Sequence, residues 1–561
     1  MISNHVNMNL KHLSLLWLVL GMVFSLSAQT PNCYRIYLSD KNNTPYTIDN
    51  PSEFLSQRAV DKRTRFSIPI TEQDLPVNPQ YKQQILALHP QMQLLAVSKW
   101  LNTIVVYCTN SSIVQQITSL PFVDSVVAIG STSLQNNPSA SIPENPMPMV
   151  QNVPLSTRDD INYGDGYGQI AIHNGHLLHA EGFRGEGMLI AVIDAGFKEI
   201  EQNSFYQKMV NEGRLVGRYS LRPNFLDQSY LNGTRHGMRV TSVMAADENG
   251  SFVGTAPKAS YALIHSECAE TEQPFEEDFW INAAEIADSL GADVINSSNG
   301  YTVFDNYPQG SHTYADFDGH TSIISRCASL LGDKGIITCN SAGNRGNSSW
   351  YFISAPADAF NILAVGACYS DSTIVHFSSH GPTYDGRVKP DVTSMGGYVN
   401  VYYYANEVYS ESGTSFSSPI IAGLSACLWQ AMPERTASEI MQIIRESSHL
   451  YNNPNTEYGY GIPDFYKAYT THVGINDYKP LQISVYPNPV IDKLNIVNPD
   501  GNIQTVTLYN TSGQLVLQTA VPLSPILEIP VMNLPNGFYI GTANLNNHQT
   551  ATFKFIKRNN P

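Results

Sequence analysis

Four polar side chains stand where a hydrolytic reaction would need them. Asp194 ends the apolar run Ile190-Ala-Val-Ile193 and precedes Ala195-Gly196. His236 opens the helix-like segment "HGMRVTSVMAA", Asn344 lies in the glycine-rich turn "NSAGNRG", and Ser415 closes Gly413-Thr414-Ser415 before an apolar run that reaches Trp429. Each has a plain structural use. Ser415 can cap a helix by accepting from its free N–H groups, Asp194 can cap the next element, His236 is one of 15 histidines, and an asparagine between glycines is a turn residue. Each also has a chemical use. A serine hydroxyl is a poor nucleophile until a base takes its proton, an imidazole is such a base, and a carboxylate orients the imidazole. An amide donor at a helix mouth can stabilise a developing oxyanion.

Positioning such groups is the task of the elements around them. From about 160 to 470, near-continuous apolar runs alternate with helix-like segments: Met188–Ile193, Tyr261–Ile264, Ala292–Ile295, Gly335–Thr338 and Asn361–Val365. This pattern predicts an α/β fold, a parallel sheet with helices on both faces, whose chemistry sits at the carboxyl ends of the strands. Before it, residues 33–129 read as β-α-β-β-α-β, a small ferredoxin-like α+β unit. Between Ser131 and Leu155 lie Pro138, Pro143, Pro146, Pro148 and Pro154 among Asn and Ser, a linker open to proteolysis. The last 80 or so residues break into short β-patterned runs, which predicts a small β-sandwich.

At 561 residues the chain has room for roughly three or four domains. Lys11 and His12 precede the apolar run Leu13–Phe24, and small residues follow up to Ala28. This predicts a secretory signal peptide over 1–28 rather than a membrane anchor, the run being shorter than the ~20 residues a span needs. A net charge of −16, from 32 basic and 48 acidic residues, argues against a nucleic-acid partner and an anionic membrane surface. Seven cysteines include no CxxC pair, so no metal site is expected. Cys33 with Cys108 is a plausible local disulfide.

Taken together, "IAVIDAGF", "HGMRVTSVMAA", "NSAGN" and "GTSFSSP", in that order, resemble the subtilisin-like serine protease (subtilase) family over roughly 310 residues. "FSSHGPTYDGRVKPDV" (377–392) and "YGYGIPDFYKA" near Gly459 fit the same family. The resemblance implies a serine endopeptidase working through an acyl-enzyme, with Ser415 as nucleophile, His236 as base, Asp194 as its orienting carboxylate and Asn344 in the oxyanion hole. It also implies that Ser298, Asn299 and Gly300 pair with the substrate backbone, and that with Ser341, Ala342 and Gly343 they line the primary specificity pocket. For Ser298–Gly300 a plain turn is the competing reading. No cofactor is implied; structural calcium is compatible with the family but not assignable to residues. Three positions depart from the family pattern: Ser417 two residues after the nucleophile, His380 in "SSHGP", and "TSMGG" after Pro390-Asp391. None removes a chemical group.

The front domain resembles the propeptide of secreted subtilases, an inhibitor and folding chaperone. The tail motifs "VYPNPVIDKLNI", "LYNTSGQLV", "LPNGFYI" and "FKFIKR" resemble the C-terminal sorting domain of the type IX secretion system of Bacteroidota. A carbohydrate- or protein-binding β-module is the other reading of the tail. The expected organisation is a signal peptide (1–28), propeptide (29–130), linker with the maturation site (131–158), peptidase domain (159–470) and sorting domain (481–561). The expected partners are polypeptide substrates, the chain's own propeptide and the secretion machinery, with no membrane span in the mature chain. Export through the periplasm to the medium or cell surface follows. The competing function is a surface interaction protein whose protease fold is inert.

Overall fold

The computed structural model describes residues 32–130, 161–221, 234–267, 272–305, 307–472, 484–497, 503–521, 524–545 and 550–559. The expected leader (1–28), the linker (131–158) and Cys268 lie outside the described residues.

The front domain runs β1 (Cys33–Leu38), α1 (Gln57–Arg65), α2 (Pro79–Ala87), β2 (Gln93–Ser98), β3 (Thr103–Tyr107), α3 (Ile113–Thr118) and β4 (Val123–Gly130). The strands form an antiparallel sheet in the order β2-β3-β1-β4. The expected β-α-β-β-α-β order is present, with α1 as an addition. Tyr34, Ile36, Ile104 and Val106 cover α2 and α3 through Ile85, Ile113 and Ile117. The alternate residues Cys33, Leu95, Val105 and Ile129 face the other way and bury against the peptidase domain. That alternation also corrects the expected disulfide. Cys33 belongs to the face turned to the peptidase and Cys108 to the face under α2 and α3, so their sulfurs stand on opposite sides of one sheet. All six described cysteines are free and buried.

In the peptidase region the strands β5 (Leu189–Asp194), β6 (Leu215–Ser220), β7 (Ser260–His265), β8 (Val294–Ser297), β9 (Ile337–Ser341), β10 (Leu363–Cys368) and β11 (Val392–Met395) form one sheet among the described residues. Its order is β11-β10-β9-β8-β5-β7-β6, and every pairing is parallel. Helices α4 (His236–Ala245), α5 (Glu276–Leu290), α6 (Ile323–Asp333) and α7 (Thr414–Ala431) cover it. Within the continuous apolar run of β5, Ile190 and Val192 join the core that holds Val240, Met244 and Ile420. Leu189, Ala191 and Ile193 join the core of Phe279, Trp280 and Ile324. An uninterrupted apolar strand is what a doubly covered sheet requires. The chain leaves β5 toward β6 and β7 on one side and returns to β8 on the other. The carboxyl ends of β5 and β8 therefore flank the switch point where such sheets hold ligands.

The residues after 470 form a separate compact unit. Its strands fall into a three-stranded and a four-stranded antiparallel sheet enclosing Val490, Leu494, Ile496, Val506, Leu508, Leu527, Ile529, Phe553 and Phe555. Two strands that the tail motifs did not announce, Ile526–Pro530 and Gly537–Leu545, complete the sheets. No described helix is long and apolar enough to cross a membrane.

Candidate active site

β5 delivers Asp194 to the carboxyl edge of the sheet, where its side chain is almost fully buried. Asp194 Oδ1 accepts from the Ala195 N–H (2.7 Å) and lies 2.7 Å from His236 Nδ1. His236 is the first residue of α4, and its N–H donates to Thr234 Oγ1 (3.1 Å). Close approach of helix to strand depends on Gly237. A Cβ there would stand 2.9 Å from Asp194 Cβ and 2.7 Å from the Gly196 carbonyl oxygen, too near for any other residue. Burial, the largest influence on His236, lowers its pKa, but the charge and hydrogen bond of Asp194 outweigh it and leave the imidazole raised.

Ser415 opens α7, a helix buried along nearly its whole length. The first turn is stitched to two strand ends. Ser418 Oγ donates to Asn296 Oδ1 in β8 (2.9 Å). Pro419 has no N–H to give the carbonyl four residues earlier, and Ser298 Oγ donates to that Ser415 carbonyl instead (3.1 Å). Thr414 donates from both its N–H and its Oγ1 to Asn344 Oδ1, each at 2.9 Å, and the Gly343 N–H donates to Thr414 Oγ1 (3.2 Å). Because Oδ1 accepts two donors, the orientation of the Asn344 amide is set by its bonding. Its Nδ2 faces the mouth of α7, 3.6 Å from where a Cβ on Gly413 would be. Ser415 retains 8% exposure, and the His236 ring lies 5.7 Å from that of Phe416 in the same turn. No hydrogen bond joins Ser415 Oγ to His236 among the described residues.

The remaining sequence-predicted site residues divide into two kinds. Gly300 is exposed and Ser298 half-buried, and their backbone groups carry no hydrogen bond among the described residues, so this edge is free to pair. The Ser341–Gly343 backbone is occupied: Ala342 N–H donates to Val365 and its carbonyl accepts from Ser354, while the Gly343 carbonyl accepts from Ser379. Ser341, Ala342 and Asn299 are buried, a wall rather than a pairing edge. Of the departures, Ser417 turns inward and donates to the Thr414 carbonyl (2.9 Å), and His380 stacks on Tyr351 with ring centroids 4.4 Å apart. Among the described residues no group of three or more His, Cys, Asp or Glu side chains stands ready to hold a metal ion.

The front domain docks on α5 through residues that the sequence reading missed. Glu285 accepts from Ser98 Oγ (2.6 Å) and from the N–H groups of Lys99 and Trp100 (3.0 Å each). Arg35 makes a paired contact with Asp278 (2.8 and 2.6 Å), and Arg63 and Lys99 meet Asp288 (2.8 and 3.2 Å). Burial raises the carboxyl pKa values of Glu285 and Asp278 despite these partners. The visible signal is the density of acids in a segment that otherwise reads as a buried helix. β4 ends at Gly130, beside Gln273 and Pro274.

Residues 185–461 match the Subtilase family (Peptidase S8). Residues 33–144 match the Bacteroidota propeptide domain of the same peptidases, and residues 484–558 match a secretion system C-terminal sorting domain. The chain belongs to the subtilase family, built as a propeptide, a subtilase domain and a type IX sorting domain that marks it for secretion or the cell surface. It is similar to a thermophilic serine proteinase of Bacillus sp. (strain AK1), 28% identical over 293 residues, which cover 51% of this chain and 62% of the relative. It is also similar to serine protease AprX of Bacillus subtilis (strain 168), 26% identical over 321 residues (52% and 66%), and to thermitase of Thermoactinomyces vulgaris, 27% over 286 residues (51% and 89%). The chain thus spans less than two thirds of the first two relatives. A solved structure, the self-cleaved protease domain of PatA, aligns at 21% identity over 51% of this chain and 96% of that one, with a TM-score of 0.39.

Proposed function

We propose that the chain is a secreted serine endopeptidase, made as an inactive precursor, that cleaves polypeptides through an acyl-enzyme. The observation that carries this reading is the contact of His236 Nδ1 with Asp194 Oδ1 beside a helix mouth that holds Ser415 and the oriented Asn344 amide.

Ser415 Oγ attacks the scissile carbonyl as His236 Nε2 takes its proton. Asp194 keeps Nδ1 protonated and stabilises the imidazolium that forms. The carbonyl oxygen becomes negative between Asn344 Nδ2 and the Ser415 N–H. His236 then passes the proton to the leaving amine, and a water repeats the sequence on the acyl-enzyme, restoring Ser415. A nucleophile–base hydrogen bond left unmade without substrate is compatible with this chemistry, since such bonds tighten in the reacting complex. A Ser298–Gly300 edge with free backbone groups suits an extended substrate strand.

The domain boundaries belong to the same proposal: leader 1–28, propeptide 29–130, maturation within 131–158, peptidase 159–470 and sorting domain 481–561. β4 leads toward the cleft side of the domain, as an inhibitory propeptide requires.

A fluorophosphonate probe tests the reading. Peptide mapping of the labelled, secreted protein should find modification at Ser415 and nowhere else, together with hydrolysis of an unstructured protein. An unlabelled, inactive mature chain would instead identify an interaction protein on a protease fold.

A further inference from the structure

Glu267 lies two residues beyond β7, at the active-site edge of the sheet. The last residue of β7, His265, is in register with Asp194, and the Ser266 N–H donates to the Asp194 carbonyl (3.1 Å). The Glu267 carboxyl acts electrostatically on both Asp194 and His236. On its other side stand Asn299 and Tyr301, at and just beyond the free Ser298–Gly300 edge. Tyr301 is fully buried and Asn299 nearly so, yet neither the Tyr301 hydroxyl nor Asn299 Oδ1 has a hydrogen-bond partner among the described residues. Half-buried Glu267 has no lysine or arginine partner among them either. An uncompensated acid beside a carboxylate that must stay ionised costs stability and points to a ligand that supplies the missing charge.

We propose that Glu267 is a specificity-determining residue: it receives a lysine or arginine side chain of the polypeptide substrate, on the acyl side of the scissile bond. The inference rests on the endopeptidase reading. The groups facing Glu267 are Asp194 on β5, His236 on α4, Glu272, and Tyr301 and Asn299 after β8, with His265 Nε2 against its backbone carbonyl (2.9 Å). Burial, then Glu272 and Asp194, push its carboxyl up to about 8, while Tyr301 and Asn299 pull the other way. A bound cation therefore displaces a proton from Glu267, and the preference for a cation grows as pH rises through that value.

The test uses the secreted protein and its Glu267→Gln variant, with peptides identical except for lysine or norleucine at each acyl-side position in turn. For the wild type, the lysine-to-norleucine ratio of kcat/KM should reach about 10- to 100-fold at one position, the weight of a hydrogen bond to a charged group. It should rise between pH 7 and 9. In Glu267→Gln the ratio should fall to within about two-fold and lose its pH dependence. No lysine preference in the wild type, or a preference that survives in the variant, overturns the proposal. So does a variant that loses kcat on both peptides equally, the mark of a residue that only positions Asp194. The same peptides with an uncleavable reduced bond, titrated calorimetrically, read the subsite without hydrolysis. A protein that does not label at Ser415 defeats the endopeptidase reading, and the lysine-to-norleucine binding ratio still decides for or against Glu267.

Discussion

Asn344 performs two tasks with opposite ends of one amide, and two substitutions separate them. Oδ1 holds the first turn of α7 through the two 2.9 Å bonds from Thr414, while Nδ2 faces the helix mouth. Asn344→Leu removes both ends. Two hydrogen bonds at about 0.5–1.5 kcal/mol each put the loss of stability at about 1–3 kcal/mol, a drop of several degrees in Tm. Asn344→Asp keeps the acceptor toward Thr414 and removes the donor, so its Tm should stay near the wild-type value. Both should lose catalysis alike or nearly so. Removing one oxyanion-hole donor from a subtilisin costs about 10²–10³ in kcat, or about 2.7–4 kcal/mol, and the negative charge of aspartate adds to that. KM should move only a few-fold, because the lost interaction forms mainly in the transition state. Steady-state kinetics normalised to active sites, with calorimetric melting of the same preparations, supply all three quantities. An Asn344→Asp enzyme that turns over at nearly the normal rate refutes the oxyanion role. Two variants whose activity falls only as their folded fraction falls would make Asn344 a turn residue.

N-terminal sequencing of the secreted product should place the mature start between 131 and 165, and Ser415→Ala should leave the precursor uncut if processing is self-made. Removing residues 481–561 should abolish surface delivery while hydrolysis of soluble peptides stays within about two-fold, because the tail forms its own compact unit with its own core; normal secretion of the truncated chain would count against its sorting role. Glu285→Ala deprives Ser98, Lys99 and Trp100 of a common acceptor and should raise the inhibition constant of added propeptide by about tenfold or more. Since His236 must be neutral to act and its pKa is raised, kcat/KM should climb with pH through a midpoint above the ordinary histidine value; Asp194→Asn should move that midpoint down. The same shift means that the His236–Asp194 pair stabilises the fold most below the ordinary histidine pKa, and that this contribution is lost as pH rises through the folded value.

The sequence by itself determined the layers and the four chemical groups. Continuous apolar strands can be satisfied only between two layers of helices, so β5 and its neighbours were legible as a buried parallel sheet. Asp194, His236, Asn344 and Ser415 each sit at the end of such an element, within local motifs whose glycines and small residues permit close approach, as Gly237 does. Helix α1 was not legible. It buries Ala59, Lys62 and Arg63, and a helix whose buried face is cationic has no apolar period to read. Its meaning lies in Asp288, 225 residues away in the chain. The same holds for the orientation of the Asn344 amide, for Ser298 taking the carbonyl that Pro419 leaves free, and for Glu267 beside Asp194. The opposite faces occupied by Cys33 and Cys108 follow from strand register rather than spacing. A period of 2 or 3.6 records which side of an element meets the core, but not which distant residue it meets. Those pairings, and with them every hydrogen bond that prepares the site, exist only once the sheet has assembled.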